Sequence, residues 1–133
     1  MITVEEFRRR TGGGSMPVLT LTDFFDGNTV EDSIAPNQWE YGRPPIHVLA
    51  KRFRDVEARA DVAWVRVQPH GDSLDLDVLC GEAVAVCASA DEATRDGWMN
   101  GLEASGVIDG LVDDYAEVPT VPEGCSIWSI VWD

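Results

Sequence analysis

The sequence has almost no lysine and no long apolar segment. Lys51 is the only lysine among ten basic residues, and 24 acidic residues bring the formal net charge to −14. No apolar run approaches the ~20 residues that span a bilayer, and no apolar stretch like that of a secretory signal follows the first basic residues. We therefore expect a soluble, cytoplasmic protein that does not bind membranes. The preference for arginine suggests a bacterium with a GC-rich genome.

The sequence also lacks the short motifs of common catalytic and cofactor sites. It contains no GxGxxG, P-loop, HExxH, CxxC or GxSxG pattern. Its two histidines are too few for a histidine-rich metal site. Its cysteines, Cys80, Cys87 and Cys125, are an odd number without zinc-site spacing, and we expect them to be reduced and mostly buried. We therefore expect no cofactor, no metal site and no catalytic residues, and we favour a binding protein over an enzyme.

Charge is distributed unevenly along the chain. Residues 1–67 contain nine basic and ten acidic residues, whereas residues 68–133 contain one basic and fourteen acidic residues. Such an acidic surface repels nucleic-acid phosphates and attracts basic proteins. We therefore expect no binding of nucleic acid and favour a basic protein as partner. Adaptation to high salt is the alternative explanation for so acidic a chain.

Hydrophobic periodicity predicts an α+β fold. Apolar residues alternate with other residues in four segments, which we predict to be strands at residues 17–21, 62–68, 82–88 and 125–132. Helical spacing predicts two helices, at residues 45–60 and 91–104. A short helix lies in front of them, in an N-terminal appendage of residues 1–15. The resulting βαββαβ order is ferredoxin-like and implies a four-stranded antiparallel sheet with two helices on one face.

The length of 133 residues is typical of one domain, so we predict a single domain over residues 1–133. Its core should contain the residues on the apolar faces of the predicted elements. These residues are Leu49, Phe53, Val65, Val84, Val86, Trp128 and Ile130.

Residues 22–43 show no clear periodicity and are rich in Asp, Asn, Gly and Pro, which predicts a long loop. A loop of this length is uncommon in a compact domain, and it is either functional or contains an undetected element. We expect Phe24 and Phe25 to anchor the loop in the core. Asp26 and Asn28 would then face outward and are candidate binding residues.

Two further groups of residues are candidates for binding. Trp39 and Tyr41 lie in the same loop, among polar residues. They are either exposed, and exposed aromatic side chains are frequent hot spots at interfaces, or buried as a lid over the core. Asp113, Asp114 and Glu117 form the acidic part of the last connection, which we expect to be solvated. Neither group has the surroundings that would favour acid–base catalysis.

The leading hypothesis is a small acidic protein-binding module, in the manner of an inhibitor or immunity protein that blocks a basic partner such as a cationic nuclease. The alternative is a small-ligand-binding domain or an enzyme whose site lies under the 22–43 loop. Such a site would use Asp23, Asp26, Asn28 or His47. A third possibility is an acidic scaffold subunit with no separate activity.

Overall fold

Alternating apolar residues form the strands at the centre of the structure. The computed structural model describes residues 1–132, so Asp133, the last residue of the predicted domain, lies outside the described residues. Within residues 1–132, four strands form one sheet in the order β1-β2-β4-β3, and each neighbouring pair is antiparallel. The strands are β1 (Val62–Pro69), β2 (Gly81–Ala88), β3 (Gly106–Asp109) and β4 (Ser126–Val131). The predicted α+β class and the four-stranded antiparallel sheet are therefore confirmed.

Five α-helical segments and two 3-10 turns complete the secondary structure of residues 1–132. The helices are α1 (Val4–Thr11), α2 (Leu21–Phe25), α3 (Ile46–Glu57), α4 (Asp72–Asp75) and α5 (Glu92–Gly97), and the 3-10 turns are Glu31–Ser33 and Pro36–Gln38. In this part of the chain, no helix combines the length and the apolar character needed to cross a bilayer. The helix predicted at residues 45–60 is confirmed as α3. The one predicted at 91–104 is shorter, because α5 is followed by turns in which Gly101 has a left-handed φ of 76°.

The strand predicted at residues 17–21 is wrong. The Thr20 hydroxyl accepts a hydrogen bond from the backbone N–H of Asp23, and the Asp23 carboxylate accepts one from the backbone N–H of Thr20. This capping box begins α2 at Leu21, so the alternating residues before it do not continue as a strand. Only Leu19 pairs with β1, through an isolated antiparallel bridge to Val67.

The ferredoxin-like βαββαβ order is not confirmed. Three helices precede the first strand, and the long loop predicted at residues 22–43 contains most of α2 and both 3-10 turns. The fourth strand is instead β3, a short edge strand in a segment for which we predicted no strand. β2 lies between β1 and β4, so the sheet places three sequence-predicted strands side by side.

The helices cover one face of the sheet. On this face β1, β2 and β4 contribute apolar side chains to a core shared with α1, α2 and α3. Six of the seven predicted core residues have no exposed surface, and Trp128 is partly buried against them. Phe24 and Phe25 are buried, which confirms that they anchor the loop. Phe7 of α1 is also fully buried, so the predicted appendage of residues 1–15 contributes to the core.

The opposite face of the sheet is covered by irregular chain from residues 110–125. Gln68 of β1 donates a hydrogen bond from Nε2 to the Ser129 hydroxyl at 2.7 Å, and this hydroxyl donates to the Gly110 carbonyl at 2.6 Å. The Gln68 Oε1 accepts a hydrogen bond from the backbone N–H of Val112 at 2.9 Å. Gln68 and Ser129 have no exposed surface, so this buried network attaches the start of residues 110–125 to the sheet. We call residues 110–125 the acidic segment.

The burial of Phe53 predicts a large effect on stability. Its ring has no exposed surface and lies 6.3 Å from the rings of Phe25 and Trp132, measured between centroids. Phe53→Ala should lower the free energy of unfolding by about 3–5 kcal/mol, because the cavity cannot fully collapse. Urea denaturation followed by circular dichroism measures the change. Val48→Ala, on the exposed side of α3, is the control and should change it by less than about 0.5 kcal/mol; equal effects would contradict the packing of α3.

Candidate functional site

A cleft of ≈ 280 Å³ lies between the two 3-10 turns and the start of β2. We call it the acidic cleft because three carboxylate side chains line it. The residues that matter for its chemistry are Asp32, His70, Asp72, Cys80, Glu82 and Trp132. They come from separate parts of the chain, around residues 32, 70–82 and 132, so sequence spacing carried no signal for this group. The cleft does lie against the predicted 22–43 loop.

A buried ion pair shapes the wall of the acidic cleft. The Arg43 side chain has no exposed surface, and its Nη1 donates to the carbonyl oxygens of Glu31 at 2.7 Å and Ile34 at 2.6 Å. Its Nη2 donates to the Glu31 carboxylate, which also accepts a hydrogen bond from the backbone N–H of Ile46 at 3.0 Å. The guanidinium stacks 4.7 Å from the centre of the Trp39 ring. These contacts tie the loop to the first turn of α3.

The two polar candidates in the first part of the loop have different environments. Asn28 is buried, and its Nδ2 donates to the Ser33 hydroxyl at 3.0 Å while its Oδ1 accepts from the backbone N–H of Val30 at 2.9 Å. The expectation that Asn28 faces outward is therefore wrong, because the loop itself satisfies this amide. Asp26 is exposed and forms an ion pair with Arg54 of α3. Neither residue lines the acidic cleft.

The other candidate binding residues are mostly exposed. Tyr41 is the most exposed of the large hydrophobic side chains within residues 1–132, at 79%, whereas Trp39 is partly buried under Arg43. Asp113 and Asp114 are exposed in the segment that covers the far face of the sheet. Glu117 in the same segment is exposed and lies 3.4 Å from Arg10.

The residues considered for an enzyme or ligand site are not gathered in the structure. Burial opposes ionisation of Asp23, but hydrogen bonds from Thr20 and an ion pair with Arg10 outweigh it and lower the pKa of Asp23. This carboxylate is therefore held by the capping box. His47 lies exposed on α3. Neither Asp23 nor His47 lines the acidic cleft.

Most of the acidic residues between positions 68 and 132 form no ion pair with lysine or arginine. Within residues 1–132, only two of these carboxylates pair with arginine, Asp77 with Arg8 and Glu117 with Arg10. The other ion pairs of lysine and arginine join residues of the first part to each other. The uneven charge of the sequence therefore persists as an uneven charge of the folded surface.

Tyr115 connects the acidic segment to the end of β1 beside the acidic cleft. It donates a hydrogen bond to the carbonyl oxygen of Pro69 at 2.8 Å, next to His70 in the cleft wall. Burial, with the carboxylates of Glu82 and then Asp113, raises the pKa of Tyr115. The hydroxyl therefore stays protonated and keeps donating this hydrogen bond at neutral pH.

The cleft has a cysteine beside a histidine but no activated nucleophile. Burial, with the nearby Asp72 carboxylate, raises the pKa of the Cys80 thiol, which keeps it protonated at neutral pH. His70 Nδ1 accepts a hydrogen bond from the backbone N–H of Asp72 at 3.0 Å rather than from the thiol. Among residues 1–132 there is no group of three or more His, Cys, Asp and Glu that could hold a metal ion. The chemistry that this arrangement supports is electrostatic binding of a cation.

The three cysteines are free thiols, but only one of them is buried, so the expectation that they are mostly buried is wrong. Cys87 is buried, whereas Cys80 and Cys125 are partly exposed. Burial, together with the neighbouring Cys125, raises the pKa of Cys87 to about 11.

Removing the buried guanidinium should destabilise the protein. Arg43→Met removes the guanidinium donor from two carbonyl oxygens and leaves the Glu31 carboxylate with only the Ile46 N–H, so we expect the free energy of unfolding to fall by about 3 kcal/mol. Arg54→Met, which breaks the exposed ion pair with Asp26, is the control and should cost less than about 1 kcal/mol. Urea denaturation of both variants tests this, and a similar small loss in each would show that Arg43 does not hold the loop.

Comparison with known proteins assigns the sequence to one family. The profile of the family described as "Uncharacterized protein YfbO family" matches residues 2–130. No curated protein and no solved structure gives a significant match. Because the matched segment covers nearly the whole sequence, this chain belongs to the YfbO family.

Proposed function

We propose that this protein is a binding module that captures a basic partner protein, in the manner of an inhibitor or immunity protein. The observation that carries the proposal is the pair of cleft carboxylates, Asp32 and Glu82, that have no basic partner within residues 1–132. Their negative charge remains available to steer and bind a cationic group from outside the chain.

The cleft suits one long basic side chain. Its volume is ≈ 280 Å³, and the carboxylates of Asp32 and Glu82 line it together with the Trp132 ring. A lysine or arginine side chain can bind both carboxylates and an indole face, which adds a cation–π contribution of about 0.5–2 kcal/mol. The Trp132 ring is held in place, because its Nε1 donates to the Leu102 carbonyl oxygen at 3.0 Å. A rigid aromatic wall reduces the entropy lost on binding.

Tyr41 and Asp114 extend the proposed interface beyond the cleft. The backbone N–H of Tyr41 donates to the carbonyl oxygen of Gln38 at 3.0 Å, and Gln38 lines the cleft, so Tyr41 lies near its rim. Exposed tyrosine is among the residues enriched at binding hot spots. Asp113 and Asp114 are exposed in the acidic segment and would raise the association rate more than the final affinity.

A small cationic ligand is the second candidate. The cleft is lined by residues 32–38 of the 22–43 loop, which is where the alternative hypothesis expects a ligand site. This position favours a ligand-binding domain. Its carboxylates would then bind an amine or guanidine group of a small molecule. An enzyme is less favoured because Cys80 stays protonated, and a scaffold subunit without separate activity does not account for a cleft.

Neutralising the cleft should weaken binding of a basic peptide. We expect Asp32→Asn with Glu82→Gln to reduce the affinity for a labelled peptide of alternating Arg and Gly by about tenfold, because two charge-assisted contacts are lost. The control is Glu92→Gln with Asp96→Asn on α5, which removes the same net charge away from the cleft. Fluorescence anisotropy measures both. Equal losses would mean that net charge alone attracts the peptide, which contradicts a site in the cleft.

Competition distinguishes the two candidates. Agmatine carries a guanidinium and an ammonium group on a four-carbon chain and lacks the rest of a peptide. If a protein interface is correct, agmatine should compete weakly, and Tyr41→Ala should reduce peptide affinity about threefold or more. Strong competition by agmatine with no effect of Tyr41→Ala favours the small-ligand domain.

Salt dependence separates an interface from adaptation to high salt. An acidic interface should lose affinity for the peptide steeply as salt rises, because exposed charges are screened within ~10 Å at 0.1 M. The fold itself should remain intact at about 0.05 M salt. Thermal unfolding followed from about 0.05 M to about 2 M NaCl tests this. A fold that forms only in molar salt would instead attribute the acidity to salt adaptation.

A further inference from the structure

Two of the three cysteines lie together on the face of the sheet opposite the helices. Cys87 belongs to β2, and Cys125 ends the acidic segment immediately before β4. β2 pairs with β4 so that Cys87 lies opposite Ile127. Cys125 precedes Ile127 by two residues, a spacing that places both side chains on one face of the sheet. The apolar cluster on this face contains Cys87 and Trp64, and Cys125 and Ile127 pack against it.

The thiols of Cys87 and Cys125 are neighbours within this cluster. Burial is the main cause of the raised pKa of Cys87, and the charge of Cys125 and a hydrogen bond between the two side chains add to it. The sulfur atoms are therefore within hydrogen-bonding reach of each other. A disulfide needs them about 2 Å apart, so the remaining approach is small.

The two thiols differ in their access to solvent. Cys87 has no exposed surface, whereas Cys125 is partly exposed between two exposed residues, Gly124 and Ser126. An oxidant in solvent can therefore reach Cys125 but not Cys87. The pKa of Cys87, about 11, also keeps this thiol protonated at neutral pH, and a protonated thiol is a poor nucleophile. Cys125 is thus the thiol that reacts first.

Cys80 is too far away to compete for either partner. It immediately precedes β2, whereas Cys87 is the residue before the last in this strand of 8 residues. At a rise of about 3.3 Å per residue, the two residues lie about 20 Å apart. Cys80 also belongs to the acidic cleft rather than to the far face of the sheet. Only Cys87 and Cys125 can therefore pair within one molecule.

We propose that Cys87 and Cys125 form a reversible disulfide bond that attaches the C-terminal end of the acidic segment to β2. The oxidant is a small-molecule disulfide such as oxidised glutathione. The Cys125 sulfur, as thiolate, attacks one sulfur of the oxidant, and the displaced glutathione thiolate takes up the proton that Cys125 released. Cys87 then attacks the Cys125 sulfur of this mixed disulfide, and its proton passes to the second glutathione. Two protein thiols lose two electrons in total, and one oxidised glutathione becomes two thiols.

This bond would fix the second end of a segment whose first end is already attached. The network of Gln68 and Ser129 holds the start of the acidic segment, and the Trp64 indole N–H donates to the Thr120 carbonyl oxygen at 3.1 Å. Beyond Thr120, a covalent link at Cys125 would add to the apolar contacts of the reduced chain. In a reducing compartment such a bond is transient, which makes it a redox-dependent restraint rather than a permanent one. The inference does not depend on the proposed function.

Oxidation of the folded, full-length protein tests the pair. The reduced protein is incubated with oxidised glutathione without denaturant, quenched with acid and mapped by peptide mass spectrometry. We expect a monomer in which Cys87 and Cys125 are joined in one cross-linked peptide. Its Tm should exceed that of the reduced protein by at least about 5 °C, because a disulfide that fits the native fold restricts the unfolded chain. Dithiothreitol should reverse both changes.

Variants of each cysteine distinguish the paired reaction from modification of one exposed thiol. Cys125→Ser should abolish the cross-link and the rise in Tm, whereas Cys80→Ser should preserve both. Cys87→Ala should stop at the mixed disulfide of Cys125 with glutathione, which should accumulate at least about tenfold over the parent protein. If Cys87→Ala does not fold, Cys125→Ser provides the comparison. A stable mixed disulfide at Cys125 in the parent protein, cross-linked dimers, an unreactive Cys125 or a bond that lowers the Tm overturns the proposal.

Discussion

The ion pair between Arg43 and Glu31 decides how the long loop is arranged, and the acidic cleft depends on that arrangement. Taking a guanidinium out of water is costly, and here two carbonyl oxygens, a carboxylate and the Trp39 ring offset the cost. A buried pair of this kind adds little net stability compared with apolar packing. It does penalise loop conformations in which the guanidinium stays buried without these partners.

The opposite face of the sheet depends on a comparable constraint. Residues 110–125 have almost no regular secondary structure, yet the network of Gln68 and Ser129 with the backbone at Gly110 and Val112 attaches this segment to the sheet. The acidic residues that follow are thereby displayed at a defined place. Buried hydrogen bonds thus position both the wall of the acidic cleft and the acidic segment beside it.

The distribution of basic residues decides which charges of the surface remain unpaired. Most arginines are used in ion pairs within the first part of the chain, which leaves the carboxylates of the second part to form a negative surface. Arg52 escapes this pairing because its guanidinium is held by the Asn100 carbonyl oxygen. Pairing, more than composition, therefore determines which surface charges remain available to other molecules.

The sequence by itself determined the α+β class, three strands, helix α3 and most of the core, because these features arise from apolar periodicity within one segment. It failed at α2, where local capping by Thr20 and Asp23 overrides a weak alternation, and at β3, whose four residues are too few to show a pattern. It could not group Asp32 with Glu82, nor distinguish the buried Asn28 from the exposed Asp26. Only the tertiary structure decided these features, because side-chain burial, ion pairing and cleft formation depend on contacts between residues distant in the chain.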